Sequence, residues 1–158
     1  MKEKKTLHKN IELKLYETTE LPEKWKELCN LARQAANDAY AVYSSFRVGA
    51  AVLLEDGTIL KGNNQENAAY PSGLCAERTV LFYTHANYPD KKILAIAIYS
   101  PDTQSLLTPC GACRQVLLEY EKNQITPIQT LIVSKEGIYI MSSAADWLPF
   151  EFSENQLR

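Results

Sequence analysis

Three stretches of the chain carry apolar residues at the spacing of an amphipathic helix. The first, WKELCNLARQAANDAYAVY, comes soon after Pro22, which suits a first helical turn. One face of this helix gathers its apolar side chains, namely Trp25, Leu28, Leu31 and Ala35. The same spacing recurs in LCAERTVLFYTH and in CGACRQVLLEYEK. We therefore predict three helices. A short fourth helix is predicted to start at a cap, Ser142 or Ser143, and to reach Trp147, and Pro149 ends it.

Other stretches have the pattern of strands. FRVGAAVLLEDGTILKGNN contains two strand-like runs around Asp56-Gly57, a strong hairpin signal, and Phe46 opens the first of them. KILAIAIYS is the continuous apolar run of a strand buried on both faces, and QTLIVS and GIYIM are further strands. The early IELKLYE alternates apolar and polar residues, which fits either an edge strand or an arm. Helices that alternate with strands predict an α/β sheet with helices on both faces.

Composition narrows the class of protein. The 158 residues suit one domain, which we place at residues 21–158 after an extension of residues 1–20. A net charge of −2 argues against binding to nucleic acid, and no apolar run is long enough to span a bilayer. MKEKKTLHKN leads into no apolar signal region, so we expect a cytoplasmic protein. Thiols stay reduced there, and clustered cysteines then indicate a metal or catalytic site.

Three of the four cysteines lie in two short segments, PSGLCAERTVLF and TPCGACRQVLLEY. Cys110 and Cys113 are spaced to share one face of a helix, after Pro109 at its start, and Cys75 falls at the start of another helix. Helix amino termini favour the anionic sulfur that binds zinc. Three protein ligands with no evident fourth predict an open, catalytic zinc site.

Glu77 distinguishes this site from a structural zinc knuckle. A carboxylate two residues after a ligand lies beside the metal and can move a proton to and from a water molecule there. Taken alone, Glu77 would be an ordinary first-turn glutamate, and C-x-x-C alone could be a redox pair. A closed site that also uses Cys29 is the rival, although Cys29 is better explained as a buried, inert thiol.

The combination of CAER with PCGACRQ resembles the zinc-binding motifs of the zinc-dependent cytidine deaminases. Their known signature is H-x-E or C-x-E followed by P-C-x-x-C. YSSFRVGAAV and NNQENAAYPSGLCAERTVLF are similar to the free-nucleoside branch of that family, and the likeness runs from about Ala39 to Phe152. The resemblance implies a three-layer α/β/α sandwich with a central mixed sheet of about five strands. It also implies one zinc ion per subunit and a homotetramer. Residues 1–20 extend beyond the usual start of the family.

The resemblance also assigns roles to individual residues. It implies that Glu77 is the proton carrier and that Arg78 donates to the thiolates. A surface arginine is the alternative for Arg78, although a cation at a helix start opposes the dipole. Asn64 and Glu66 would hold the ribose, whereas a solvated polar turn is the alternative. The other residues assigned to substrate are Phe46, Ala68, Tyr70, Ala76 and, from a neighbouring subunit, Phe152, with Phe150 as a competitor for the last position.

These observations predict hydrolytic deamination of cytidine and 2′-deoxycytidine to uridine and 2′-deoxyuridine, with release of ammonia, in pyrimidine salvage. The expected partner is a small nucleoside. Two alternatives stay open at this point. One is a deaminase of a related aminopyrimidine nucleoside such as blasticidin S, and the other is a zinc-binding module of the same fold that catalyses nothing.

Overall fold

One mixed sheet of six strands organises the computed structural model, which describes residues 3–157. The strands are β1 Leu13–Tyr16, β2 Gly49–Leu54, β3 Ile59–Asn63, β4 Ile93–Tyr99, β5 Gln129–Val133 and β6 Ile138–Met141. Their order across the sheet is β1-β6-β5-β4-β2-β3. Only β4 and β5 run parallel, because α3 forms the crossover between them. The helices are α1 Glu23–Asn37, α2 Ala76–Asn87 and α3 Gly111–Gln124.

The inner strands of the sheet are buried on both faces, which confirms the three-layer prediction. Side chains alternate along each strand, so that Val52 joins one core with Val80 and Leu117, while its neighbour Leu53 joins the other with Leu28. The first core lies under α2 and α3, and the second lies under α1. This alternation explains why β2 and β4 are continuous apolar runs.

Most of the predicted elements are present. The hairpin turns at Asp56-Gly57, where Gly57 has a φ of 84°. The short last helix spans Ala144–Trp147 as a 3₁₀ turn, and the Ser143 side chain caps it by accepting from the Ala145 N–H. The sheet has one strand more than the approximate five, because Leu13–Tyr16 pairs antiparallel with β6. None of the helices within residues 3–157 is both long and apolar enough to cross a bilayer.

Two boundaries differ from the prediction by three residues or more. The first helix was predicted through Tyr43 but ends at Asn37. The chain leaves the helix because Tyr40 exchanges backbone hydrogen bonds with the segment after β3: its N–H donates to the Asn64 carbonyl, and its carbonyl accepts from the Glu66 N–H. Likewise, Phe46 was predicted to open the first strand, whereas β2 begins at Gly49. Both changes place irregular backbone beside Asn64 and Glu66.

Candidate active site

Three thiols meet where the amino termini of α2 and α3 converge. Cys75 precedes α2 and Cys110 precedes α3, both with extended backbone, and Cys113 lies in the first turn of α3. The Sγ atoms of Cys75 and Cys110 are 3.7 Å apart, and those of Cys110 and Cys113 are 3.5 Å apart. All three sulfur atoms lie within 4.8 Å of one another. The structure therefore brings together the three cysteines that the spacing singled out.

The sulfur positions fit a tetrahedral zinc ion. Bonds of about 2.3 Å from zinc to sulfur place the corners of a tetrahedron about 3.8 Å apart. The measured separations of 3.5 and 3.7 Å are close to that value. No histidine, aspartate, glutamate or further cysteine completes the cluster within residues 3–157. The donor set is that of an open zinc site, with one corner left for a small molecule.

The surroundings of Cys75 favour its thiolate. Hydrogen bonds with Cys113, Arg78 and Cys110 lower the pKa of this thiol to about 5, although partial burial opposes them. The pKa of Cys113 is raised, because this thiol hydrogen-bonds to Cys75 and is buried. The cluster therefore releases its first proton readily and holds the next more firmly. A metal that binds must displace the remaining protons, so affinity rises with pH.

Glu77 is buried beside the thiols. It occupies the first turn of α2 and is only 5% exposed. Burial raises the pKa of its carboxyl group to about 7, and the charge of Cys75 acts in the same direction. Hydrogen bonds with its own backbone and with Cys113 oppose this rise. An ordinary first-turn glutamate is solvated and ionised, so burial separates Glu77 from that class.

Arg78 is directed at the three thiols. Its Nη2 atom lies 3.7 Å from Cys75 Sγ, and this hydrogen bond is the main cause that raises the pKa of the guanidinium. Its Nε atom is buried without a hydrogen-bond partner in the described part of the chain. A donor of this kind beside an anionic cluster compensates part of the charge of three thiolates. This placement differs from that of a surface arginine.

Cys29 lies apart from the other cysteines. It is in α1, 2% exposed, in the core on the opposite face of the sheet from α2 and α3. Burial raises the pKa of its thiol to about 12, which keeps it protonated. The rival hypothesis of a closed site with four cysteines is therefore wrong, and a buried inert thiol describes Cys29.

An open cavity of about 470 Å³ lies next to Cys75. Asn64, Glu66 and Tyr70 line it together with Cys75 and Arg78. Asn64, Glu66 and Tyr70 are thus the residues, among those assigned to the sugar and base, that line the cavity beside the thiols. Most of the residues that line the cavity belong to the irregular chain between β3 and α2.

The two polar residues of the cavity are braced by backbone groups. The Asn64 side chain accepts from the Val48 N–H at 2.8 Å and donates to the Phe46 carbonyl at 2.9 Å. Glu66 accepts from the N–H groups of Tyr43 and Ser44 and from the Ser44 hydroxyl. The Ser44 hydroxyl is the main cause that lowers the pKa of the Glu66 carboxyl. These bonds hold both side chains in place, which a solvated polar turn does not do.

The remaining residues assigned to the substrate are not part of the cavity lining. Phe46 is half-buried before β2, Ala68 is exposed, and Ala76 is fully buried at the start of α2. Phe152 is 57% exposed on the carboxy-terminal segment, and neighbouring Phe150 is 71% exposed. None of these five is among the described residues that line the cavity. Within one chain, Phe152 therefore leaves the site open.

Arg114 connects the loop before α3 with the short helix that ends at Trp147, and no pattern in the sequence indicates this role. Its Nε donates to the Pro109 carbonyl at 2.7 Å and its Nη2 to the Thr108 hydroxyl at 3.1 Å. Its guanidinium also lies 5.2 Å from the centre of the Trp147 ring. It directly follows Cys113 and fixes the loop that carries Cys110. Most of its contacts are with backbone or with distant residues, so spacing alone gives no signal for them.

Fold and site together define an α/β protein with an open three-cysteine zinc site beside a buried carboxyl group. The chain matches the sequence model of the cytidine and deoxycytidylate deaminase zinc-binding region over residues 22–128. It is 40% identical to the cytidine deaminase of Sporosarcina psychrophila over 126 residues, which cover 80% of this chain and 89% of that one. The likeness to the cytidine deaminase of Halalkalibacterium halodurans is 48% over 88 residues, which cover 56% of this chain and 65% of the relative.

Solved structures show the same likeness. The crystal structure of the cytidine deaminase from Burkholderia pseudomallei superposes with a TM-score of 0.71 at 39% identity and covers 80% of this chain and 98% of that one. The cytidine deaminase from Mycobacterium tuberculosis gives a TM-score of 0.65 at 39% identity, covering 82% and 97%. The protein therefore belongs to the cytidine and deoxycytidylate deaminase family.

Removing one thiol tests the ligand set. We expect Cys110→Ala to lose stoichiometric zinc, because two thiols remain where three converge. Cys29→Ala is the matched control and keeps one zinc per chain. Elemental analysis of the purified variants measures both. Loss of zinc in the Cys29 variant would contradict this assignment.

Replacing the guanidinium tests the compensation of charge. Arg78→Gln should lower zinc affinity about 10- to 100-fold, the usual effect of losing a group that hydrogen-bonds to a metal ligand. Competition with a chromophoric chelator gives the affinity. Arg33→Gln serves as control, since Arg33 stacks over Tyr99 on the α1 side of the sheet, away from the thiols. Equal affinity in the Arg78 variant and the parent protein would rule out the proposed role.

Proposed function

We propose that the protein hydrolyses cytidine and 2′-deoxycytidine to uridine and 2′-deoxyuridine, with release of ammonia, and that it uses one zinc ion per chain. The observation that carries this function is the buried Glu77 carboxyl group next to the three thiols. A structural zinc module needs only its ligands, and a buried carboxyl without a task lowers stability. The curated relatives bear the name cytidine deaminase.

Cys75, Cys110 and Cys113 would hold the zinc ion. When bound, zinc supplies Lewis acidity, which makes a water molecule a stronger nucleophile at neutral pH. In the reaction, a C4–O bond forms and the C4–N bond breaks. Glu77 takes the proton of the attacking water, passes it to N3 of the pyrimidine, and moves a second proton to the leaving amine. A carboxyl pKa near 7 suits a group that must accept and then donate.

The braced polar residues of the cavity suit the sugar. The Asn64 amide donates one N–H to the Phe46 carbonyl and keeps its second N–H for a ligand. Glu66 accepts hydrogen bonds from Tyr43 and Ser44, and a carboxylate can accept about four in all. Both groups therefore retain capacity toward ribose hydroxyls. The charge of Glu66 repels a 5′-phosphate, which favours nucleosides over nucleotides.

The remaining assignments concern the pyrimidine and the assembly. Phe46, Ala68, Tyr70 and Ala76 are proposed to surround the base and sugar. Phe152 is proposed to close the site of a neighbouring subunit in a homotetramer, since this apolar residue is 57% exposed in a single chain. The free thiols agree with a cytoplasmic protein of pyrimidine salvage. Residues 21–158 form the proposed catalytic domain, and residues 1–20 its extension.

Turnover of the Glu77→Gln variant tests the function. This amide cannot carry a proton, so we expect the rate of ammonia release from cytidine to fall about 10²- to 10⁴-fold while zinc is retained. Glu119→Gln, a change on the exposed face of α3, is the control and keeps full activity. A coupled ammonia assay gives kcat. Substantial activity in the Glu77 variant, or none in the parent protein, would overturn the proposal.

Mixing two defective variants tests the shared site. Glu77→Gln lacks the proton carrier, and Phe152→Ala lacks the closing ring. In hybrid tetramers, an intact Glu77 of one subunit meets an intact Phe152 of another, so activity at low cytidine should exceed the sum of the separate variants. Light scattering checks the tetrameric mass. A monomer, or activities that only add, would exclude the shared site.

A further inference from the structure

The amino-terminal segment is an addition to the shared fold that is built into the sheet. The family match begins at residue 22, whereas β1 pairs with β6 from Leu13↔Met141 to Tyr16↔Ile138. Gly137 makes room for it: a Cβ there would lie 2.5 Å from the Tyr16 carbonyl oxygen. The φ of 140° at this position also disfavours other residues. This close approach holds the carboxyl end of β1 against the start of β6.

From that edge, residues 7–9 reach the carboxy-terminal segment. The Nζ atom of Lys9 lies 3.5 Å from Glu151 Oε2. Leu7, His8 and Lys9 form one side of a groove whose other side consists of residues from the end of the chain, namely Pro149, Phe150, Glu151 and Gln156. The two ends of the chain therefore contact each other beside the sheet.

Glu151 joins this contact to α3. Its Oε1 atom accepts from Lys122 Nζ at 2.9 Å, while Lys9 is on Oε2. The hydrogen bond from Lys122 is the main cause that lowers the pKa of the Glu151 carboxyl to about 2, a hydrogen bond with its own backbone adds to this, and Lys9 has the smallest effect. Further along the segment, the Phe152 carbonyl accepts from Gln115 Nε2 at 3.1 Å. Lys122 and Gln115 belong to the helix whose first turn holds Cys113.

We propose that residues 7–9 brace the carboxy-terminal segment against α3 through the Lys9–Glu151–Lys122 chain of charges, and thereby set the position of Phe152. The brace touches neither substrate nor metal, so Lys9 is a positioning residue. Its effect on catalysis rests on the proposed function, in which Phe152 closes a neighbouring site. Loss of the brace then weakens substrate binding and leaves the chemical step and the zinc site unchanged.

Lys9→Ala and Lys9→Glu test the brace, with Lys14→Ala as control. Lys14 pairs with Glu12 at 2.9 Å on the same segment and does not reach the tail. A partly exposed ion pair of this kind supports about a 1.5- to 5-fold rise in KM for cytidine in Lys9→Ala, and more in Lys9→Glu, at unchanged kcat and zinc content. Added salt should shrink the difference from the parent protein. Amide exchange of residues 150–156 should speed up in both Lys9 variants but not in Lys14→Ala.

A double variant separates this contact from a general effect of charge. In the Glu151→Gln background, Lys9→Ala should change neither KM nor exchange any further. The proposal is overturned if the Lys9 variants match the parent protein in KM and in exchange, or if their effect persists unchanged without the Glu151 charge. A parent protein that deaminates no nucleoside refutes the proposed function instead, and amide exchange still reports on the brace.

Discussion

The site depends on the convergence of two helix amino termini on one face of the sheet. Cys75 and Cys110 hold the same position, one residue before a helix, and the shared core under α2 and α3 fixes the distance between them. Three thiolates within 4.8 Å repel one another unless positive charge compensates them. Helix dipoles and Arg78 supply part of that charge, and the metal supplies the rest.

In the proposed site, the start of α2 combines three functions. Cys75, just before the helix, would be a metal ligand, buried Glu77 would carry protons, and Arg78 would compensate negative charge. Burial that keeps water away from Glu77 also raises its pKa toward neutrality. In the proposed function, a pKa near neutrality suits a proton carrier, so the packing at the start of α2 would serve both the metal site and proton transfer.

Features that depend on neighbours in sequence could be predicted, and those that depend on distant contacts could not. The spacing of Cys110 and Cys113 and the Asp56-Gly57 turn are local signals, and both are present in the structure. The end of α1 was missed because Tyr40 pairs with residues 64–66. The structural role of Arg114 was missed because its guanidinium donates to the backbone oxygens of Pro109 and Trp147. A pattern of side chains in the sequence does not indicate such contacts. Periodicity showed that residues 13–16 could form a strand, but it could not show that β6 would offer a free edge.

Zinc K-edge X-ray absorption of the purified protein tests the central claim most directly. An open three-thiol site predicts three sulfur atoms at about 2.3 Å and one oxygen or nitrogen at about 2.0 Å. The signal of the oxygen or nitrogen at about 2.0 Å should change when a pyrimidine nucleoside with a tetrahedral C4 is added, because such a ligand would occupy the open corner. Four sulfur atoms, or a first shell that no such ligand alters, would contradict an open catalytic corner.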